Sequence, residues 1–445
     1  MLERILIAAH GEVASRIGRT CRRLGVETVG VHIKGDHDAP HVEACDEPVE
    51  IGDDPTAYRN TAALIAIAKE KGALGIHPGY APLSQRAELA ADVEAAGLTF
   101  IGPTAASLEA SLDRIAVLAH AVEHSVRTLS TSERPIRSAD EAREDAERIG
   151  YPVALLPARG TAEDRAPWPC EDAEALEAAL ASVDERGMQR GLILEAHVDR
   201  ARVVEVVVAS DGTDVAALGE YDVSLARGGR RLLSEAPAMA LEQLHDGDAV
   251  RGALFEAAVS ITAQIGCIGI GSCQFVLDAD NAFYFVGFTP GLQVESATVE
   301  MCAGLDLVEI QLELASGAKL PTSLERAQMS GSALLARIDA ATDPNTQKPF
   351  ESSVTSARWP PAPPGKVRIE SGVKIGSTIH GAYDPLVASV TTYAPNRHDA
   401  LLMLDRILAE IHLAPLVTNL RLLRKALNHE SMRAGQYDLG FLDRI

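Results

Sequence analysis

Basic residues are the scarcest large class in this chain: 41 Lys and Arg stand against 63 Asp and Glu, a formal net charge of −22. That balance argues against a nucleic-acid backbone or an anionic membrane surface as the main partner, since both are held through basic patches. It also opposes a highly phosphorylated ligand unless a local positive pocket overrides the field. Paired cysteines are missing as well. Cys21, Cys45, Cys170, Cys267, Cys273 and Cys302 are scattered without a C-x-x-C spacing, which predicts free thiols rather than a disulfide framework or zinc site. The histidines show no metal-ligand spacing either, so no metal centre of their own is expected. No apolar run approaches the roughly 18 residues that span a bilayer. The short run Ile5 to Ala9 meets His10, Gly11 and Glu12 at once, as a strand entering a turn does and a signal peptide does not. A soluble, cytoplasmic protein is expected.

What is present is patterned. Apolar residues make up 47% of 445 positions, enough for folding, and the length calls for two or three packed domains. Strands are expected at Arg4 to Ala9, Thr28 to Ile33, Leu74 to His77 and Thr99 to Ile101. Helices alternate with them at Val13 to Leu24, Thr61 to Lys71 and Ala87 to Ala96. This alternation predicts parallel βαβ units in a doubly wound sheet. Helices are then expected at Leu108 to Glu123, Ala139 to Ile149 and Ala173 to Asp184, with strands at Val153 to Leu156 and Leu192 to Glu195 forming a small lid. Beyond that, strands dominate: Val203 to Val208, Val215 to Gly219, Gly271 to Leu277 and Ala282 to Val286. Asp278 to Asn281 reads as a hairpin turn, and Trp359 to Pro364 as a Pro-rich loop. Helices are expected at Leu254 to Ile265, Asp399 to Ile411 and Asn419 to Leu427. The fold class is α/β, leaning to antiparallel α+β in the C-terminal half. The expected division is 1–112, 113–202 and 203–445.

Local strings resemble the biotin carboxylases, the ATP-grasp subunit or domain of acetyl-, propionyl- and pyruvate carboxylases. Ile7-Ala8 with Gly11-Glu12-Val13-Ala14, His77-Pro78-Gly79-Tyr80 with Leu83-Ser84, Phe100-Ile101-Gly102-Pro103 and Ile149 to Val153 fall in the family's order. So do Glu235-Ala236-Pro237, Gln293-Val294-Glu295, Asp343-Pro344-Asn345-Thr346, Tyr383-Asp384 and Thr418-Asn419. The resemblance covers roughly the whole chain. It implies an ATP-grasp fold: a Rossmann-like N-terminal domain, a mobile lid, and a C-terminal domain that shares the nucleotide cleft. The chemistry it implies has two halves. ATP with magnesium activates bicarbonate, and the ureido nitrogen of biotin on a carrier protein then captures the CO₂.

The positions implied for the nucleotide half have changed. The two magnesium carboxylates fall at Gln274 and Gly287, and the Asn ligand at Thr289. Magnesium asks for hard oxygen ligands; an amide is a weak one and glycine offers none. The lid lysine falls at Pro157, and the Gly-rich phosphate loop reads Arg159-Gly160-Thr161-Ala162-Glu163-Asp164-Arg165. A glycine run can cradle phosphate with its N–H groups; one glycine and two carboxylates do not. A second phosphate-facing lysine falls at Arg114. The adenine-side string becomes Glu195-Ala196-His197-Val198, and a nearby His becomes Val203. The biotin and bicarbonate half is better kept. Gln293, Val294, Glu295 and Arg337 stand where the family holds bicarbonate, places its base and grips the biotin ureido oxygen. The bicarbonate lysine falls at Arg231, its arginine at Gly291, and the His after the Gln-Val-Glu string at Ser296.

These substitutions imply a biotin-carboxylase-like pseudoenzyme, a structural or regulatory subunit of a biotin-dependent acyl-CoA carboxylase complex. Two alternatives stay open. One is an active, divergent biotin carboxylase using ATP and magnesium. The other is an ATP-grasp scaffold redirected to another small molecule through Arg159, Glu163, Asp164 and Arg165. Glu295 and Arg337 also fit a purely structural ion pair, and His77 and Tyr80 purely structural roles. The partners implied are a second copy, an active biotin carboxylase, a carboxyltransferase or a biotin carrier protein.

Overall fold

The computed structural model describes residues 2–80, 83–160, 168–324, 328–342, 349–380 and 384–445. Five parallel strands, β1 (Arg4–Ile7), β2 (Glu27–His32), β3 (Glu47–Glu50), β4 (Gly75–His77) and β5 (Thr99–Phe100), form the first sheet in the order β3-β2-β1-β4-β5. Helices α1 (Gly11–Leu24), α2 (Pro40–Glu43), α3 (Thr61–Glu70) and α4 (Ala87–Ala95) run between them. α1 buries Ala14, Ile17 and Cys21, a spacing that keeps them on one face. It stops at Gly25, whose φ of 72° suits a residue without Cβ. The doubly wound expectation holds, with β3 added. Its sequence, Glu47-Pro48-Val49-Glu50, has no apolar run, and proline is tolerated there because the strand lies at the sheet edge.

The single helix expected over Leu108 to Glu123 is two: α5 (Ala105–Leu112) and α6 (Arg114–Glu123). Asp113 leaves helical geometry between them, and its carboxylate accepts a hydrogen bond from the Ala116 N–H at 3.1 Å, capping α6. The lid follows. Strands β6 (Val153–Pro157), β7 (Trp168–Cys170) and β8 (Leu192–Ala196) form an antiparallel sheet in the order β7-β6-β8. α7 (Ala139–Ile149) and α8 (Ala173–Ser182) cover it, burying Ala142, Ala146, Leu176 and Leu180 against Val153, Leu155 and Leu194. A further turn of helix, α9 (Glu185–Arg190), precedes β8.

The C-terminal half is built on eight antiparallel strands. They are β9 (Arg202–Asp211), β10 (Val215–Arg227), β11 (Arg230–Ala236), β12 (Ile268–Leu277), β13 (Phe283–Pro290), β14 (Ser332–Asp339), β17 (Val367–Ser371) and β19 (Leu386–Ala394). Their order is β13-β12-β9-β10-β11-β14-β19-β17. Two small pairs lie outside this sheet: β15 (Ser352–Ser353) with β18 (Thr378–Ile379), and β16 (Ser356–Arg358) with β20 (His412–Ala414). The expected strand Val215 to Gly219 is the first part of β10, which continues to Arg227 and turns back into β11. Gly228 (φ 56°) and Gly229 (φ 75°) make that turn, as a two-residue hairpin loop with both φ positive requires. The hairpin expected at Asp278 to Asn281 is present. Its Asp278 carboxylate accepts hydrogen bonds from the Asp280 and Ala282 N–H groups, both at 2.9 Å.

Candidate functional site

The cleft face of the large sheet is lined by charged and polar side chains that the strand register aligns. Glu205 of β9 lies opposite Gln274 of β12 and Tyr221 of β10; directly paired residues project to the same face. Glu205 is fully buried. It accepts hydrogen bonds from Gln274 Nε2 at 3.3 Å, from the Tyr221 hydroxyl and from both Arg231 Nη atoms. Arg231 leads to Glu295 at 3.7 Å. Arg337 Nη1 donates to Glu295 at 3.2 Å, and its Nη2 lies 3.6 Å from Asp384. Arg230 closes the series, with Asp384 at 3.2 Å and Asp339 at 3.0 Å. The result is a row of alternating charge: Glu205, Arg231, Glu295, Arg337, Asp384, Arg230, Asp339.

Within this row the arginines set the ionisation of Glu295. Burial alone would raise the Glu295 carboxyl, but Arg337 and then Arg231 overcome it and hold the group below its ordinary value. Burial and the nearby Glu205 carboxylate push the Tyr221 phenol well up, so it is a hydrogen-bond donor at neutral pH. Gln293, Val294, Glu295, Arg231 and Arg337 are therefore brought together. Ser296 Oγ donates to the Gln293 carbonyl at 2.6 Å, Gln293 Nε2 is buried without a partner among the described residues, and Val294 packs with Ala297, Leu335 and Tyr80. His77 is fully buried, accepts the Gly79 N–H on Nδ1 at 3.1 Å, and is pushed down to about 3 by burial. It is a neutral ring holding a turn.

The other candidate positions form a separate set. Gln274 faces Gly287 across β12 and β13, and Thr289 faces Ser272. Those positions offer an amide at Gln274, no side chain at Gly287 and a buried hydroxyl at Thr289, where the resemblance implies two carboxylates and an Asn. Arg114 is buried and grips Glu195 of the lid with both carboxylate oxygens, at 3.0 and 2.8 Å. The two groups expected to face phosphate and adenine thus face each other. Pro157 ends β6 without a polar side chain. Arg159 pairs with Asp113 at 3.1 Å and with Glu109. Gly160 is described, but Thr161 to Arg165 lie outside the described residues, as do Asp343 to Thr346 and Tyr383. Gly291 has φ 87°, a conformation that L side chains rarely adopt. A Cβ there would sit 3.4 Å from Ser84 Oγ.

Glu205 and Tyr221 escaped the sequence analysis. The available signal was a single carboxylate inside the run Val203 to Val208; its meaning depends on Arg231, 26 residues away in sequence. Arg230 and Asp339 carried no signal of their own.

Known proteins place this architecture. Residues 1–108 match the biotin carboxylase N-terminal domain, 113–323 the ATP-binding domain of the carbamoyl-phosphate synthase L chain, and 335–444 the biotin carboxylase C-terminal domain. The biotin carboxylase of Pseudomonas aeruginosa is 33% identical, over 100% of this chain and 98% of its own. The mitochondrial methylcrotonoyl-CoA carboxylase subunit alpha of Glycine max is 34% identical over 99% of this chain, which spans 60% of that relative's length. The biotin carboxylase domain of Hydrogenobacter thermophilus 2-oxoglutarate carboxylase, solved as a dimer with Mg-ADP, ADP and bicarbonate, superposes with a TM-score of 0.93. It is 28% identical and covers 100% of this chain and 98% of its own. Rhizobium etli pyruvate carboxylase superposes with a TM-score of 0.87 at 28% identity, covering 100% of this chain and 42% of its own. The chain belongs to the biotin carboxylase family.

Proposed function

We propose that this chain no longer carries out ATP-dependent carboxylation of biotin. In this reading it serves as a non-catalytic structural or regulatory subunit of a biotin-dependent acyl-CoA carboxylase complex. The observation that carries it is the Gln274–Gly287 register pair. Magnesium needs several oxygen ligands in near-octahedral array. Here one strand offers an amide whose nitrogen is turned to Glu205, and the other offers no side chain. Glu205 is itself taken up by Arg231, Tyr221 and Gln274. This donor set does not fit a metal-bound triphosphate.

Two further features support the reading. Arg114 is neutralised by Glu195 inside the protein, so an incoming phosphate would have to compete with a buried carboxylate. Gly291 takes a backbone conformation suited to glycine and offers no side chain where the resemblance implies an arginine. On this account residues 1–112, 113–202 and 203–445 keep the family's three-part division as a scaffold. The partner is a second copy, an active biotin carboxylase, a carboxyltransferase or a biotin carrier protein.

The second reading, an active divergent enzyme, is favoured by one observation: Glu295, Arg337 and Arg231 stand together with Glu295 ionised. In that case Glu295 is the base and Arg337 holds the ureido oxygen. A phosphate-release assay with ATP, magnesium, bicarbonate and free biotin separates the two. No release above background supports the scaffold; biotin-dependent release overturns it. Affinity purification from the source cells, scored for biotinylated protein and carboxyltransferase, tests the partner.

A further inference from the structure

Glu12 is the carboxylate that the cleft's ion pairs leave out. It is the second residue of α1 and 4% exposed, and among the described residues neither of its carboxylate oxygens has a hydrogen-bond partner. It is shut into a seam where α1 docks on the C-terminal sheet. Arg16 pairs with Glu300 there, and Arg19 with Glu370. The chain at Gly372 passes so close that a Cβ would come 2.9 Å from the Glu12 nitrogen. Five charged or titratable groups act on the carboxyl. They are Tyr80 from the loop after β4, Arg16 from its own helix, Arg337 from β14, Glu370 from β17 and Asp384 from the segment just before β19. Both arginines are already committed, Arg16 to Glu300 and Arg337 to Glu295. An ionised carboxylate without a single donor is the costliest state such an enclosure can hold, and a protonated one avoids that cost. Burial first, and Glu370 next, push the group up to about 8.

We propose that Glu12 is a proton-linked switch on the Arg337 site. Neutral, it leaves Arg337 to Glu295 and Asp384. Ionised, it adds a further carboxylate to Glu295, Asp339 and Asp384 around Arg337, whose Nε has no partner among the described residues, and loosens the seam between α1 and β17. Its consequence for the cleft rests on the reading that Arg337 belongs to a retained biotin side. The switch itself does not.

The test is a titration of the whole chain labelled with ¹³C-glutamate, wild type beside Glu12→Gln, the neutral isostere. One glutamate resonance titrating near 8 in the wild type and missing from the variant is expected. The folded state holds a proton that the unfolded state has released, so wild-type stability falls as pH rises from about 4.5 to about 8. The urea midpoint of E12Q therefore moves progressively above that of the wild type across this window and stays above it by a constant margin beyond. The hydrogen-exchange protection factors of α1 and β17, corrected for the intrinsic rise of exchange with pH, fall above about pH 8 in the wild type only. Parallel midpoints, no such resonance, or a Gln variant that fails to fold would each overturn the switch. None of these measurements involves nucleotide, so its failure and the failure of the scaffold reading are distinguishable.

Discussion

Replacing Arg114 by methionine separates a structural cation from a phosphate ligand. The guanidinium and the Glu195 carboxylate have side-chain exposures of 6% and 9%, and two hydrogen bonds at 3.0 and 2.8 Å join them. Removing one member of a buried pair leaves the other charged and uncompensated, at a cost of about 3–5 kcal/mol. Replacing both by apolar residues of similar volume removes the stranded charge, so R114M/E195L should recover to within about 1 kcal/mol of the wild type. The coupling from the double-mutant cycle is then on the order of several kcal/mol, far above the few tenths seen between independent sites. Hydrogen exchange of the β6 and β8 amides reads the loss locally, since the pair ties α6 to the lid. If R114M costs under about 1 kcal/mol, the pair contributes little and the reasoning fails. If R114M instead weakens nucleotide binding, Arg114 faces phosphate after all.

Further substitutions probe the rest of the cleft. Arg337→Met leaves Glu295 with Arg231, at 3.7 Å, as its one cation among the described residues. The lowered Glu295 carboxyl stabilises the wild type above its ordinary value and loses that contribution as pH falls. In R337M burial prevails, the carboxyl rises, and stability is lost as pH rises instead; urea midpoints across pH should show the inversion. Gly291→Ala should destabilise by about 1–2 kcal/mol, the cost of a Cβ in left-handed geometry, whereas an unchanged midpoint would mean that φ 87° is not held. Tyr221→Phe removes one donor from buried Glu205 and should cost about 1–3 kcal/mol in the same assay.

How much of this was legible depended on whether a residue's role was local. The parallel sheet followed from periodicity because each βαβ unit carries its own apolar pattern. β3 did not, since an edge strand of Glu47-Pro48-Val49-Glu50 needs no apolar face. The far part of β10 was hidden for a different reason. Glu220, Asp222 and Ser224 are buried, which contradicts strand patterning until their partners are known. Arg251 meets Glu220 at 2.9 Å and Arg202 meets Asp222 at 2.6 Å. The helix break at Asp113 was written in the sequence as a capping residue, yet apolar residues on both sides masked it. In the cleft, Gln293 and Glu295 were legible in one short string, and Arg337 only as a position the resemblance implies. The pairing of Arg114 with Glu195 was not, because 81 residues separate them and only the folded lid brings them together.

On the proposed reading, the Gln274–Gly287 face and an Arg114 already paired with Glu195 leave no home for a metal-bound triphosphate. Isothermal calorimetry of the whole chain with Mg-ATP tests it most directly. The account predicts no heat of binding up to about 1 mM nucleotide, a ceiling corresponding to about −4 kcal/mol. Saturable binding at micromolar Mg-ATP, lost when Gln274 is changed to Ala, would contradict it.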